Sequence, residues 1–217
     1  MPPRSSRRLR SATAPARDMD ASSFQHILSD LIGRIPGAYA ASLVDAEGES
    51  VDYAGDVSPF DVRLAAAHWR IVLDDIARST LGSARSLVVR GATKSFLAFA
   101  LPDEYALVVL LRRRAGFASA TRALSACVRA LHLEAQWPLP RGTGNWFAVS
   151  VACDARRRPS AVSAPPAAAH TVEVIGSVVG LPKRDRGFRV RLDSGKELTL
   201  VREPRNLWYA DEPLEIG

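Results

Sequence analysis

The stretch that decides the N-terminal fold is FQHILSDLIGRIPGAYAASLVDAEGESVDYAG, residues 24–55. Its first part carries apolar residues at the spacing of one helix face, namely Phe24, Ile27, Leu28 and Leu31. This spacing predicts a helix over residues 21–34, capped by Asp20 or Ser22 and ended by Pro36 and Gly37. Two strands are predicted after it, over residues 38–45 and 49–53. Gly48 suits the tight turn between them because it tolerates a positive φ.

A second helix is predicted over residues 60–80. Ser58 stands at its cap, and Pro59 occupies the first helical position, where a missing N–H costs nothing. One apolar face of this helix consists of Val62, Ala65, Trp69, Val72, Leu73 and Ile76. Such a face is what a helix needs to cover one side of a sheet.

The same helix carries a second apolar face, nearly opposite the first. This face consists of Phe60, Leu64, Ala67 and Ile71. A second apolar stripe needs a second cover, so the pattern predicts association with a partner. The alternative is a helix that is loosely buried within a monomer.

Three strands follow in quick succession, over residues 85–90, 95–101 and 105–111. Residues 106–111, ALVVLL, are apolar at every position, as in a strand that is covered on both faces. We therefore expect a central strand here, with helices on both sides of the sheet. A third helix is predicted over residues 116–136.

The C-terminal third is predicted to form a separate, small all-β unit over residues 145–217, which follows a linker at residues 137–144. Its strand-like segments cover residues 145–153, 171–179, 187–192, 197–201 and 206–210. The Ala/Pro/Ser stretch at residues 160–169 is predicted to be mobile. A unit of this size is near the lower limit for independent folding.

The net charge of +6 is unevenly spread along the 217 residues. Residues 1–19 carry +4 and are predicted to be a disordered basic tail, residues 20–140 carry −1, and residues 141–217 carry +3. A high pI that belongs to the ends is weak evidence for nucleic-acid binding. Two cysteines fit a reducing compartment, and no segment approaches the roughly 20 apolar residues of a membrane-spanning helix. We therefore expect a cytoplasmic protein.

The order helix–strand–strand–helix–strand–strand–strand–helix over residues 20–136 resembles the Roadblock/dynein light-chain family, in particular its bacterial members. The resemblance rests on the helix with its Ile35-Pro36-Gly37 end, the turn at residues 45–48, the helix that begins with a proline, and the triplet RSLVVRGATKSFLAFALPDEYALVVLL at residues 85–111. It implies an α/β (α+β) sandwich with a five-stranded antiparallel sheet between helices. The C-terminal β unit lies outside the resemblance.

The resemblance also implies a function. Roadblock domains pair as homodimers or heterodimers through their second helices and the edges of their third strands, and members bind small Ras-like GTPases. For this chain it implies a regulator or scaffold of such a GTPase, including a GTPase-activating role in a polarity or motility system. The implied dimer and partner face consists of Phe60, Leu64, Ala67, His68, Ile71, Ser86, Leu87 and Val88.

Signatures of catalysis are missing from the sequence. The four histidines do not stand at metal-ligand spacing with cysteines or acids, and no Gly-rich phosphate loop is present. Cys127 lies on an apolar helix face, which favours a buried structural thiol over a nucleophile. We expect a protein that is not an enzyme, with no catalytic residues, metal or cofactor of its own.

A second hypothesis starts from two arginine clusters, which consist of Arg112, Arg113, Arg114, Arg156, Arg157 and Arg158. They could form an anion patch, or they could be a solvated strand end and a β-turn. Aromatic residues of the β unit could stack on bases or could form its core, which we favour; they are Trp146, Phe147, Trp208 and Tyr209. The alternative function is therefore a nucleic-acid- or anion-binding adaptor.

Overall fold

The structure is a computed structural model that describes residues 20–113, 115, 121–139, 146–164 and 168–214. Its helices are α1 (Ser23–Arg34), α2 (Pro59–Arg78) and α3 (Thr121–Glu134). Its strands are β1 (Ala38–Val44), β2 (Ser50–Gly55), β3 (Ser86–Arg90), β4 (Lys94–Ala100), β5 (Ala106–Arg112), β6 (Phe147–Cys153), β7 (Pro159–Ser163), β8 (His170–Val178), β9 (Arg186–Leu192), β10 (Glu197–Glu203) and β11 (Leu207–Ala210). The predicted tail at residues 1–19, Arg114, residues 116–120 of the predicted third helix and most of the predicted linker lie outside the described residues.

The quoted N-terminal stretch folds as its residues predict. The Ser22 side chain caps α1 by accepting the backbone N–H of Phe24 at 3.1 Å. Gly37 then turns the chain into β1 with a φ of +84°, and a Cβ at this position would lie 2.8 Å from the Cβ of Ala115. Both the backbone angle and the lack of space require glycine here.

Strands β1 to β5 form one antiparallel sheet in the order β2-β1-β5-β4-β3. The predicted central strand is confirmed: β5 lies between β1 and β4, and every residue from Ala106 to Leu111 is buried. Because successive side chains of a strand point to opposite faces, Leu107 and Val109 enter one layer of core and Val108 and Leu110 the other.

The helices cover the two faces of this sheet. Helices α1 and α3 pack on the first face through residues such as Leu28 and Leu131, and α2 packs on the second through Val62, Trp69 and Leu73. The described architecture is thus the predicted sandwich of helices around a five-stranded sheet.

Trp69 is the largest side chain that α2 contributes to this core, where its ring centroid lies 5.1 Å from that of Phe96. We expect Trp69→Ala to lower the free energy of unfolding by about 3–5 kcal/mol, because it leaves a large cavity. Urea denaturation measures this. The matched control is Leu81→Ala, at an exposed apolar residue just beyond the same helix, which should change stability by less than about 0.5 kcal/mol. Equal effects of the two variants would contradict this packing.

The C-terminal unit is a closed barrel of six strands in the order β10-β11-β6-β7-β8-β9. Its interior contains Val190, Leu200 and Trp208, all almost fully buried. At Gly187 the neighbouring strand is so close that a Cβ would lie 2.6 Å from the Cβ of Val178. The predicted all-β unit is confirmed, and closure leaves it without an open sheet edge.

One prediction about this unit is wrong for four residues. Residues 160–163 belong to the stretch predicted to be mobile, but they form part of strand β7. Val162 of β7 is buried and lies opposite Val151 of β6 and His170 of β8. The hydrogen bonds of β7 to β6 and β8 and the buried Val162 order these residues, although their Ala/Ser composition is typical of a mobile segment. Residues 165–167 lie outside the described residues.

The barrel packs against the outer side of the α1/α3 layer. Tyr209 of β11 is fully buried in the core that α1 and α3 form, while its neighbour Trp208 points into the barrel. This burial raises the pKa of Tyr209 to about 12. The prediction that these aromatics form the core of the β unit is confirmed for Trp208 and wrong for Tyr209, because the Tyr209 side chain points to the other face of β11 and enters the α1/α3 core. The domain boundaries at residues 136 and 144 stay a prediction.

Candidate partner-binding surface

The outward side of α2 is apolar and exposed. Phe60 is 71% exposed, Leu64 58% and Ile71 56%, whereas Val62 and Ala66 on the inward side are fully buried. The helix therefore has the two apolar faces that its sequence predicts, and the inward one alone completes the described core. We call Phe60, Leu64, Ala67 and Ile71 the outer face of α2.

The turn between β1 and β2 extends the outer face of α2. Gly48 in this turn has a φ of +85°, as predicted, and a Cβ there would lie 3.7 Å from the Cβ of Ala67. Turn and helix enclose a concavity of about 510 Å³. Its lining includes Gly48, Glu49, Ser50, Phe60, Arg63 and Leu64. An apolar protrusion and an adjoining hollow are thus available to a partner.

Strand β3 is an edge strand of the five-stranded sheet. Its side chains alternate: Ser86 and Val88 are exposed, whereas Leu87 is half-buried and packs in the core under α2. Leu87 therefore offers less accessible surface to a partner than the face implied by the resemblance would require. The strand has five residues and no proline, so its outer edge can pair with another strand.

Two polar residues of α2 differ in their surroundings. His68 is exposed beside the outer face, with its ring centroid 5.5 Å from that of Trp69. Arg70 is charged and belongs to neither apolar face of the sequence, but the structure buries it in ion pairs with Asp74 and, at 3.4 Å, with Glu104. Helical periodicity alone did not indicate that burial, because Glu104 comes from the distant β4–β5 connection.

The described residues contain no group of three or more His, Cys, Asp or Glu side chains that could hold a metal ion. Cys127 is buried in the α1/α3 core, and burial raises the pKa of its thiol, with a smaller contribution from Asp30. This is the environment of a structural thiol. In the part of the chain that the structure describes, no helix combines the length and the apolarity needed to cross a membrane.

Comparison with known proteins finds likenesses among solved structures. No protein-family model matches the sequence, and no curated protein matches it significantly. A Roadblock/LC7 domain from Streptomyces avermitilis is 21% identical over 53% of this chain and 99% of that chain, with a TM-score of 0.47. Myxococcus xanthus MglB is 16% identical over 54% and 98% of the two chains, with a TM-score of 0.47. MglC from Myxococcus xanthus is 17% identical over 52% and 99%, with a TM-score of 0.42.

We call residues 20–136 the Roadblock-like region, after these likenesses. The helices and strands from α1 to α3 follow the order on which the predicted resemblance rests, with one five-stranded antiparallel sheet. The matches cover about half of this chain. They concern the fold, and the use of the outer face of α2 by a partner stays a prediction.

A charged contact that no sequence pattern indicated joins the barrel to the Roadblock-like region. Arg122 of α3 donates to Asp185 at 2.8 Å and to Glu203 at 2.6 Å, and its guanidinium lies 4.9 Å from the ring centroid of Trp146. Burial lowers the pKa of Arg122, but the two carboxylates raise it by more, so the pKa of Arg122 lies above its ordinary value. Burial raises the pKa of Glu203, and Arg122 only partly offsets this.

The two predicted arginine clusters lie in different units. Arg112 and Arg113 are exposed at the end of β5 in the Roadblock-like region. Arg156 and Arg158 stand in the β6–β7 turn of the barrel, where their backbone N–H groups donate to Asp154 at 2.9 and 2.8 Å. The second cluster is thus a β-turn, as one alternative held, and Arg157 within it lines a concavity of the barrel.

Proposed function

We propose that this protein is a non-catalytic, dimeric interaction protein that binds and regulates or scaffolds a small Ras-like GTPase. One observation carries the proposal: Phe60, Leu64 and Ile71 are exposed on a helix whose opposite face already completes the core. Exposed apolar residues that share one helix face favour a protein partner.

Self-association is the first step of the proposal. A second copy, or a related chain, would cover the outer face of α2 with its own, since a two-fold contact buries the same patch on both subunits. The edges of the two β3 strands would pair and extend the sheet, which removes an edge that otherwise invites aggregation. One contact thereby accounts for both the exposed outer face of α2 and the open edge of β3.

Binding of a GTPase is the second step of the proposal, and it follows from the family resemblance of residues 20–136. The composite surface of two α2 helices and the adjoining β1–β2 turns would contact the switch elements of the GTPase. Regulation of this kind needs no catalytic residue from this chain, because the GTPase carries its own active site. A cytoplasmic location, where such GTPases work, is part of the proposal.

Nucleotide dependence tests the proposal directly. We expect the full-length protein to bind a small GTPase of its own organism at least about tenfold more tightly in one nucleotide state, GDP or a non-hydrolysable GTP analogue, than in the other. Isothermal titration calorimetry with both loaded forms measures this ratio. The salt dependence should be shallow, because apolar contacts do not release counterions.

Two outcomes would contradict the proposal. One is equal or absent binding of every loaded small GTPase of that organism. The other is a nucleic acid that binds with steep salt dependence through surfaces of the Roadblock-like region, since that pattern indicates phosphate contacts.

A further inference from the structure

A basic concavity of about 490 Å³ lies on the outside of the barrel. The β6–β7 turn, the β8–β9 connection, the end of β10 and the turn that follows it form its wall. Its charged and amide-bearing lining residues are Arg157, Arg184, Arg202, Glu203, Arg205 and Asn206. Arg157, Arg184 and the neighbouring pair Arg202 and Arg205 come from three separate parts of the chain, so barrel closure brings the four arginines together.

The charges in this concavity are unbalanced. Glu203 is the lining carboxylate, and it is already bonded at 2.6 Å to Arg122, outside the group of four. Within the described residues, no ion pair engages Arg157, Arg184, Arg202 or Arg205. Like charges held around one hollow repel each other, and an anion placed between them relieves the repulsion.

The backbone fixes the positions of two of these arginines. Arg157 has a φ of +61° and Arg205 a φ of +69°, values that residues with a side chain adopt rarely. The residue after Arg205, Asn206, also has a positive φ and accepts a hydrogen bond from the indole of Trp208 at 3.1 Å. Such backbone conformations cost energy and concentrate at ligand-binding sites.

We propose that this concavity is a binding site for a small phosphate-bearing ligand of nucleotide size. Guanidinium groups match phosphate oxygens with paired hydrogen bonds and keep their charge at every physiological pH. The volume falls within the range of about 300–1,000 Å³ that small-ligand sites occupy. Val151 and Pro204 in the lining add apolar contact for a non-phosphate part of the ligand.

This site is separate from the outer face of α2. The barrel packs on the α1/α3 side of the sheet, whereas α2 covers the opposite side. A ligand in the basic concavity therefore leaves the proposed dimer contact open. Failure of one proposal would not contradict the other.

Calorimetric titration of the full-length protein with inorganic pyrophosphate, at constant ionic strength, tests the site. We expect saturable binding of one pyrophosphate per chain. Arg157→Ala and Arg184→Ala, both at exposed positions, should each weaken it at least tenfold. The matched control is Arg156→Ala, which removes the same charge from the same turn but does not line the concavity and should change affinity less than twofold.

Three results would overturn the proposal. The first is no saturable binding of pyrophosphate to the unchanged protein. The second is an equal loss in Arg156→Ala and in the two lining variants, which would indicate general charge attraction. The third is tighter binding of a single-stranded oligonucleotide that engages Arg156 and Arg157 alike, which would make the surface a nucleic-acid interface.

Discussion

Leu64→Glu and Ile71→Glu are each expected to convert the protein from a dimer into a folded monomer. Both side chains are more than half exposed in the single chain, so a carboxylate there is hydrated and leaves the core intact. In the proposed dimer the same carboxylate would be buried against apolar side chains without a partner, which costs several kcal/mol. A cost of about 3 kcal/mol weakens self-association roughly 100-fold. Sedimentation velocity over a range of protein concentrations measures the shift.

Val179→Glu is the matched control for this pair. Val179 is also an exposed apolar residue, at 89%, but it follows strand β8 in the barrel, on the other side of the molecule from α2. The control should sediment as the unchanged protein does. The two α2 variants should also lose their binding of the GTPase. If Leu64→Glu remains a dimer with an unaltered circular dichroism spectrum, the outer face of α2 is not the dimer contact.

The order and layering of the Roadblock-like region were predictable because its signals are local. The run at residues 106–111 is apolar at every position, and this alone predicts a central strand. The two stripes of α2 follow from a period of 3.6 residues, which places Phe60 and Leu64 opposite Val62 and Trp69. For the same reason the outer face of α2, the main candidate site, was predictable from the sequence.

The docking of the barrel was not predictable, because it depends on contacts between residues far apart in the chain. Nothing in the sequence around Tyr209 distinguishes it from Trp208, yet one enters the α1/α3 core and the other the barrel core. A strand alternates its faces, and which face meets a second unit is decided by that unit.

The basic concavity was only partly predictable for the same reason. Runs of arginine are conspicuous in a sequence, so Arg157 was among the candidates. Arg184, Arg202 and Arg205 belong to no run of arginines, and barrel closure is needed to place Arg157 and Arg184 beside the pair Arg202 and Arg205. Arg156 and Arg158, equally conspicuous, instead belong to a turn that Asp154 holds through their backbone N–H groups.

Arg122→Met is expected to destabilise the protein by about 3 kcal/mol near neutral pH. The change leaves two carboxylates, Asp185 at 8% and Glu203 at 6% side-chain exposure, without their cation. Removing one member of a buried charged group costs about 3–5 kcal/mol, and the partial exposure of Arg122 places this case at the lower end. Urea denaturation followed by tryptophan fluorescence measures the loss.

The pH dependence of this loss identifies its cause. Burial already holds the pKa of Glu203 above its ordinary 4.5, and loss of Arg122 raises it further. An acid whose pKa is higher in the folded state binds protons more tightly there, so folding loses stability as pH rises through the raised pKa. The deficit of Arg122→Met should therefore be full at neutral pH and shrink as pH falls towards about 4.5. A loss of packing alone would not change with pH.

Two further variants test whether the loss of stability comes from the Arg122–Asp185–Glu203 group or from the removal of any arginine. Arg122→Met combined with Asp185→Asn and Glu203→Gln removes all three charges and should recover most of the lost stability, because neutral groups tolerate burial far better than unpaired carboxylates. Arg191→Ala breaks a solvent-accessible pair with Glu197 on the barrel, in which the two side chains are 47% and 34% exposed, and should leave the denaturation midpoint unchanged. If Arg122→Met denatures at the midpoint of the unchanged protein, the three charges do not fasten the barrel to α3, and the buried Tyr209 must hold that contact with its apolar neighbours.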